Sequence, residues 1–410
     1  MSGSGTGAGP LPGVRAGTRV VLVCLDPGVP VFGGKGCSVH VQEVLRVLAA
    51  TGADVHVVTT RPGGQPPAGL GGVAVHHLRL PSGRTSAQRE EDLVAADARA
   101  GALVRDLLRG RERDGFVYER YALFSCSALE TARDLGVPSV LEVNAPLPLE
   151  QARHRSLTDV AGADERTARA LRAARHAVAV SRPVADWASA VAGVPVGAVP
   201  NGVDVDRFHP ADPRRADDGE LVVAFAGAFR PWHGVGLLVE AAARLRGLPG
   251  RDVRLLLVGD GPTHAADLAE AARRGVAVDA PGALAPADVP AALRGADVAV
   301  APYPPGRAYF SPLKVAEYLA CGLPTVAAAV GDLAERYRDG EELLLVPPGD
   351  ADALTAALQR LRTGPALRGR LAAAGRRAVV ERASWRRTVE LSLAPAVRRV
   401  PGRVAEEVPA

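Results

Sequence analysis

Two patterns of apolar and polar positions alternate along this chain. Short, nearly continuous apolar runs recur at RVVLVCLD (19–26), DVHVVTT (54–60), FVYERYA (116–122), SVLEVNA (139–145) and AVAVS (177–181). Between them lie amphipathic stretches rich in alanine and arginine, such as SVHVQEVLRVLAATG at 38–52. A strand that is apolar at every position is buried on both faces, so such strands alternating with helices predict a parallel sheet with helices on each side. The rhythm breaks at PNGVDVDRFHPADPRRADDGE (200–220), which reads as a linker, and then restarts. The second series is LVVAFAGAF (221–229), VRLLLVGDGP (253–262), VAVDAPGAL (276–284), DVAVAPYPP (297–305), LPTVAAAV (323–330) and ELLLVPP (342–348). The prediction is an α/β protein of two doubly wound, Rossmann-like domains facing across a cleft, with ligand-binding loops at the carboxyl ends of the strands. The expected division is a disordered tail over 1–17, a first domain over 18–205, a second over 206–378, and a helical segment over 379–400. That last segment either closes the second domain or crosses back to the first.

Length agrees, since 410 residues exceed one ordinary core. A formal charge of +4 is mild, and the arginines are dispersed among acids, as in RHRSLTDVAGADERTARALRAARH. That is the pattern of solvated helix faces, and no nucleic-acid partner is expected. No apolar run approaches the roughly 18 residues of a membrane span, and the N-terminus has no apolar core of a secretory signal. The chain is expected to be cytoplasmic, with peripheral membrane contact not indicated. Its alanine and arginine richness is associated with GC-rich bacterial genomes. GSGTGAG at 3–9 follows no strand and reads as tail rather than as a phosphate loop. Cys24, Cys37, Cys126 and Cys321 are far apart and expected as buried free thiols. The nine histidines show no metal-ligand spacing, and Asp204 and Asp206 of DVD fall in the linker, so no metal is predicted.

Forty-seven of the forty-nine basic side chains are arginine; the two lysines are Lys35 and Lys314. Lys35 stands in GGKGC, after the first strand and before a helix, where Gly34 and Gly36 allow close backbone approach to an anion. The spacing is neither GxGxxG nor a P-loop. Lys314 follows DVAVAPYPP, with Ser311 as expected N-cap and Pro312 at the first helical position. A cation in a helix's first turn opposes the helix dipole unless an anion joins it, which points to a bound phosphate. Glu317 lies on the same face, leaving an ordinary surface ion pair as the alternative.

SPLKVAEYLACGLPTV (311–326) resembles the nucleotide-sugar site of the retaining glycosyltransferases of family 4, which have the GT-B fold. The resemblance extends, in order, through GGKGCSVHVQEVLRVLAATGADVHVVT, VPNGVDVDRFHP, AFAGAFRPWHGVGLLVEA, LLLVGDGP, GDLAE and ELLLVPPGD, covering nearly the whole chain. It implies that Lys314 binds the donor diphosphate and Glu317 the ribose hydroxyls, with Gly34, Gly36, Ser311, Pro312, Leu313 and Glu335 also at the donor. The sequence departs from the family at four positions. Tyr309, counted among the donor-binding residues, stands where the family has a glutamate near the transferred sugar, and its phenol either donates a hydrogen bond or only packs. Ala228 and His233 replace an arginine and a lysine, so Arg230 is expected to supply the second cation, helped by His233. Trp232 either stacks on the ligand or packs. Asn144 replaces a histidine that touches the sugar; it can hydrogen-bond a hydroxyl but cannot act as a base. Glu142 is expected to point away from the cleft.

The implied function is retaining transfer of a sugar from a nucleoside-diphosphate sugar to an acceptor hydroxyl, a hexosyltransferase-like activity of class EC 2.4 with Lys314, Arg230 and Asn144 at its centre. No cofactor is expected beyond the donor itself. The alternatives are a nucleotide-sugar epimerase or phosphorylase on this fold, or a protein that binds a nucleotide sugar without turnover. First-domain loops such as 61–90 and 144–160 are expected to read the acceptor.

Overall fold

The computed structural model describes residues 10–154, 156–211, 219–306 and 313–397. The first sheet holds β1 (Arg19–Cys24), β2 (Asp54–Thr59), β3 (Ala74–His77), β4 (Gly115–Arg120), β5 (Ser139–Val143), β6 (His176–Ala179) and β7 (Gly197–Ala198). The second holds β8 (Leu221–Ala226), β9 (Val253–Val258), β10 (Ala277–Gly282), β11 (Val298–Ala301), β12 (Thr325–Ala328) and β13 (Leu344–Val346). Every pairing is parallel, in the orders β3-β2-β1-β4-β5-β6-β7 and β10-β9-β8-β11-β12-β13. Each order reverses once, between β1 and β4 and between β8 and β11. The loops leaving those strands diverge there and open a crevice.

Successive residues of a strand face opposite sides. Along β1, Val21 and Val23 enter one core cluster while Val20 and Leu22 enter another on the reverse face. The expected strands all form. The two not anticipated, β3 and β7, lie at opposite edges of the first sheet, where one face is wet and the apolar run is lost. β10 carries Pro281 on an edge with a break in register, the position in a sheet that tolerates a missing N–H.

The final helix, Trp385–Val397, returns to the first domain: Trp385, Val389 and Leu393 join the cluster of Val20, Leu22 and Tyr118. Its entry is fixed at the linker. The Val203 N–H donates to the Ala383 carbonyl (2.8 Å), and a Cβ on Gly202 would sit 2.6 Å from the Trp385 Cα. The linker itself is packed, since Arg376 donates to the carbonyls of Val205, Phe208 and Ala320 at 2.7–3.0 Å. Residues 10–17, expected in a disordered tail, are ordered instead. Leu11 and Val14 are buried in the first-domain core, and Gly13 abuts Val397 of the returning helix. Cys24, Cys126 and Cys321 are buried free thiols, whereas Cys37 is only half-buried.

Candidate functional site

Lys314 opens the helix Leu313–Ala320, which follows β11 at the second domain's switch point. Its side chain is only 8% exposed, and among the described residues its Nζ has no hydrogen-bond partner. Nζ lies 4.3 Å from the centre of the Phe225 ring and 5.3 Å from that of Tyr303, so aromatic faces supply its nearest electrostatic support. The loop after β8 crosses directly over it. A Cβ on Gly227, whose φ of +151° is one that side chains rarely adopt, would sit 2.8 Å from Nζ and push the ammonium aside. Burial, only partly offset by the Glu317 carboxylate, lowers the Lys314 pKa from 10.5 to about 7. The alternative of an exposed Lys–Glu pair is thereby set aside.

Glu317 is raised to about 6 by burial, against the pull of Arg207 and Lys314 and with a push from Glu43. Those charges come from both domains and the linker between them. Glu43, on the first-domain helix Gly36–Ala49, receives Arg207 at 3.1 Å and Arg46 at 2.7 Å. The glycine loop closes the same edge. A Cβ on Gly36 would touch Leu313 at 3.8 Å, and one on Gly34 would touch Pro286 at 3.9 Å, so this loop lies against the second domain.

The first domain contributes a second group of polar atoms. Asn144 follows β5 and donates through Nδ2 to Glu142 Oε1 at 2.5 Å, which leaves its buried Oδ1 without a partner. Glu142 also meets His40 Nε2 at 2.5 Å and accepts from the Tyr118 hydroxyl. Burial alone would raise this carboxyl, but His40, Arg120 and Tyr118 hold it at about 2. Glu142 does not itself line the open chamber beside Asn144; it is buried and acts on the site through that residue. Residues two apart share a side of a strand, and Glu142 stands directly behind Asn144. His40 is in turn braced edge-on against Trp385 at 4.8 Å, tying the returning helix to the site. Arg120, the last residue of β4, has buried Nε and Nη1 atoms without partners, and so does Ser38 at its Oγ. Among the described residues, these atoms belong to the carboxyl ends of β4 and β5 and to the first turn of the helix after β1. Buried polar groups are almost always satisfied, so such a set marks where a ligand or ordered water belongs.

The structure does not assemble every expected residue. Arg230 is exposed, and its guanidinium lies over the Trp232 ring at 5.8 Å. His233 bonds through Nδ1 to the Ala228 carbonyl of its own loop, with its ring beside Phe225 and Tyr303. Glu335 is exposed and paired with Arg182 of the first domain at 3.1 Å, a tie between domains. Trp232 is 38% exposed and lines a chamber in the opposite domain. Asp204 caps its own turn, accepting from the N–H groups of Asp206 and Arg207. Tyr309, Ser311 and Pro312 lie outside the described residues. Arg120 and His40 went unanticipated; a charged pair ending the apolar run FVYER was the one local signal for Arg120.

Residues 34–207 match the family model described as Glycosyltransferase Family 4, and residues 220–363 match Glycosyl transferases group 1. A D-inositol 3-phosphate glycosyltransferase of Frankia alni is 31% identical over 380 residues, covering 85% of this chain and 90% of that protein. An MMP alpha-(1->4)-mannosyltransferase of Mycolicibacterium hassiacum is 39% identical over 194 residues, but the match spans only 44% of its length and 46% of this chain. Among solved structures, a glycosyltransferase from Rickettsia africae has the same fold, with a TM-score of 0.67 at 16% identity over 93% of this chain and 98% of that one. With both halves matched in order, and a relative aligned over nearly its whole length, the chain belongs to glycosyltransferase family 4.

Proposed function

We propose that the protein moves a sugar from a nucleoside-diphosphate sugar, held by the second domain, to an acceptor hydroxyl presented by the first, with retention at the anomeric carbon. The observation that carries this reading is the Lys314 ammonium, buried and unpartnered beneath a glycine loop at a switch point. A diphosphate reaching it would keep the ammonium charged and supply the missing partner. As the sugar's C1–O bond to the diphosphate breaks, negative charge grows on the leaving group, and a fixed cation there stabilises it by about 3–4 kcal/mol. The acceptor oxygen bonds to C1 on the face the diphosphate leaves, and its proton passes to a diphosphate oxygen. This route needs no side-chain base. It suits Asn144, whose Oδ1 is oriented by Glu142 to accept a hydrogen bond from a sugar or acceptor hydroxyl. Glu317, next to Lys314 on the helix face, takes the ribose diol.

The experiment is to incubate the protein with a panel of nucleoside-diphosphate sugars and mixed acceptors, follow nucleotide release, and determine the product anomer by NMR. Release with a retained anomer, abolished in Lys314→Ala, is expected. An inverted product would reject the retaining route. Near-normal turnover in Lys314→Ala would reject the leaving-group role.

A further inference from the structure

We propose that the first domain carries a two-chamber acceptor site for an amphiphilic alcohol, a hydroxyl-bearing head joined to an apolar body. The inference rests on the sugar-transfer reading and names the acceptor class for it. The inner chamber, about 580 Å³, opens beside Asn144 and is walled by Asp26, Arg120, Glu150, Gln151 and, from the second domain, Trp232. Donors and acceptors of both charges surround this space, which suits a polyhydroxylated head better than a purely anionic one. One hydroxyl of that head lies where Asn144 Oδ1 and a departing diphosphate can both reach it.

A second chamber of about 640 Å³ adjoins the first, sharing Pro27, Gly28, Leu93, Leu123 and Gln151 as common wall. Its further lining adds Leu80, Pro81 and Phe124, with polar groups such as Ser86 and Asp92. Half-buried leucines from a helix (Leu93) and a loop (Leu123) therefore line both chambers. A ring or a medium-length chain attached to the head would cover them.

The wall is held in a strained form, which is independent support for its use. Phe124 has φ +66°, the only positive value at a non-glycine among the described residues. That conformation costs about 1–2 kcal/mol and persists only where its surroundings impose it. Here they do. Ser125 Oγ donates to the fully buried Glu119 at 2.5 Å, and the N–H groups of Cys126 and Ser127 donate to Asp97 at 3.0 Å. Arg166 binds Asp97 at 3.1 Å and the Phe124 carbonyl at 3.4 Å. The clamp fixes the loop that carries Leu123 and Phe124, one part of the wall between the chambers.

The test uses the full chain and calorimetric titration with paired probes: methyl and n-octyl glucoside, and methyl and n-octyl mannoside, each octyl compound below its micelle concentration. The octyl member should bind at least about tenfold more tightly in one pair or both, the gain of covering part of the chain. Leu93→Asp and Leu123→Gln should erase that preference while leaving the affinity for UDP and GDP, measured in parallel, as in the wild type. Thermal unfolding shows which variant remains folded, and either one suffices. Equal affinities within both pairs, or a preference that survives in a folded Leu93→Asp protein, would overturn the proposal. Failure of the wild type to bind any nucleoside diphosphate would instead sink the donor reading on which it rests.

Discussion

Replacing Lys314 by methionine, a side chain of similar length and no charge, should stabilise the empty protein while destroying its donor site. The unfolded chain protonates this lysine with an ordinary pKa of 10.5, whereas the folded protein does so only near 7. Between those values the unfolded state binds more protons, so wild-type stability rises with pH by up to about 1.4 kcal/mol per pH unit. Near and below pH 7 the accumulated penalty reaches about 4 kcal/mol as an upper bound, and the two aromatic contacts, which favour the charged form, reduce it. Relaxation and water entry reduce it, so Lys314→Met is expected to gain about 1–3 kcal/mol at pH 7. Urea unfolding at pH 7, 8.5 and 10 measures the gap. It should be widest at pH 7 and close towards pH 10. A nucleoside diphosphate should then raise the unfolding midpoint of the wild type and leave that of Lys314→Met unmoved. A methionine variant less stable than wild type at pH 7, or a gap indifferent to pH, would refute the reasoning that this ammonium waits unpaired for an anion.

Three further outcomes are expected. Glu142→Gln frees the Asn144 amide to rotate, so kcat should fall by at least about tenfold with little change in donor KM, read from steady-state kinetics; unchanged kcat removes Glu142 from a positioning role. Glu119, raised to about 8 by burial and by Asp97, is favoured in the folded state only when protonated, so stability is lost as pH climbs from 4.5 towards 8. Glu119→Gln should accordingly gain in melting temperature at pH 8 and gain nothing at pH 4.5, and equal shifts at both would contradict this. Gly202→Ala forces a methyl against the Trp385 backbone and should cost about 2–4 kcal/mol in urea unfolding, with the returning helix loosened as seen by hydrogen exchange.

Much of the architecture was legible because parallel strands covered on both faces leave continuous apolar runs. β3 escaped because AVHH alternates at an edge, and β7 because two residues carry no periodicity. Leu11 and Val14 looked like part of a small-residue tail; their burial depends on a partner helix almost 400 positions away, which no local pattern reveals. Lys314 was visible through its rarity and its unfavourable place in a helix. The aromatic box around it was not, since Phe225 and Tyr303 read simply as core. The linkage of His40, Glu142 and Asn144 was equally hidden, because a helix and a sequence-distant strand meet only once the order of the sheet is known. The contact of Arg230 with Trp232, formed where a one-turn 3-10 segment begins at Pro231–His233, was hidden as well.

The helix that returns from the far half bears on synthesis. The earlier half of the polypeptide, once outside the ribosome, lacks Trp385, Val389 and Leu393 from its own interior and shows an apolar scar on one side. At roughly 5–20 residues per second, the remaining stretch of nearly two hundred residues takes on the order of 10–40 s to emerge. During that interval the nascent domain is a natural client for chaperones, and severing the last turns from a finished molecule would reopen the same scar.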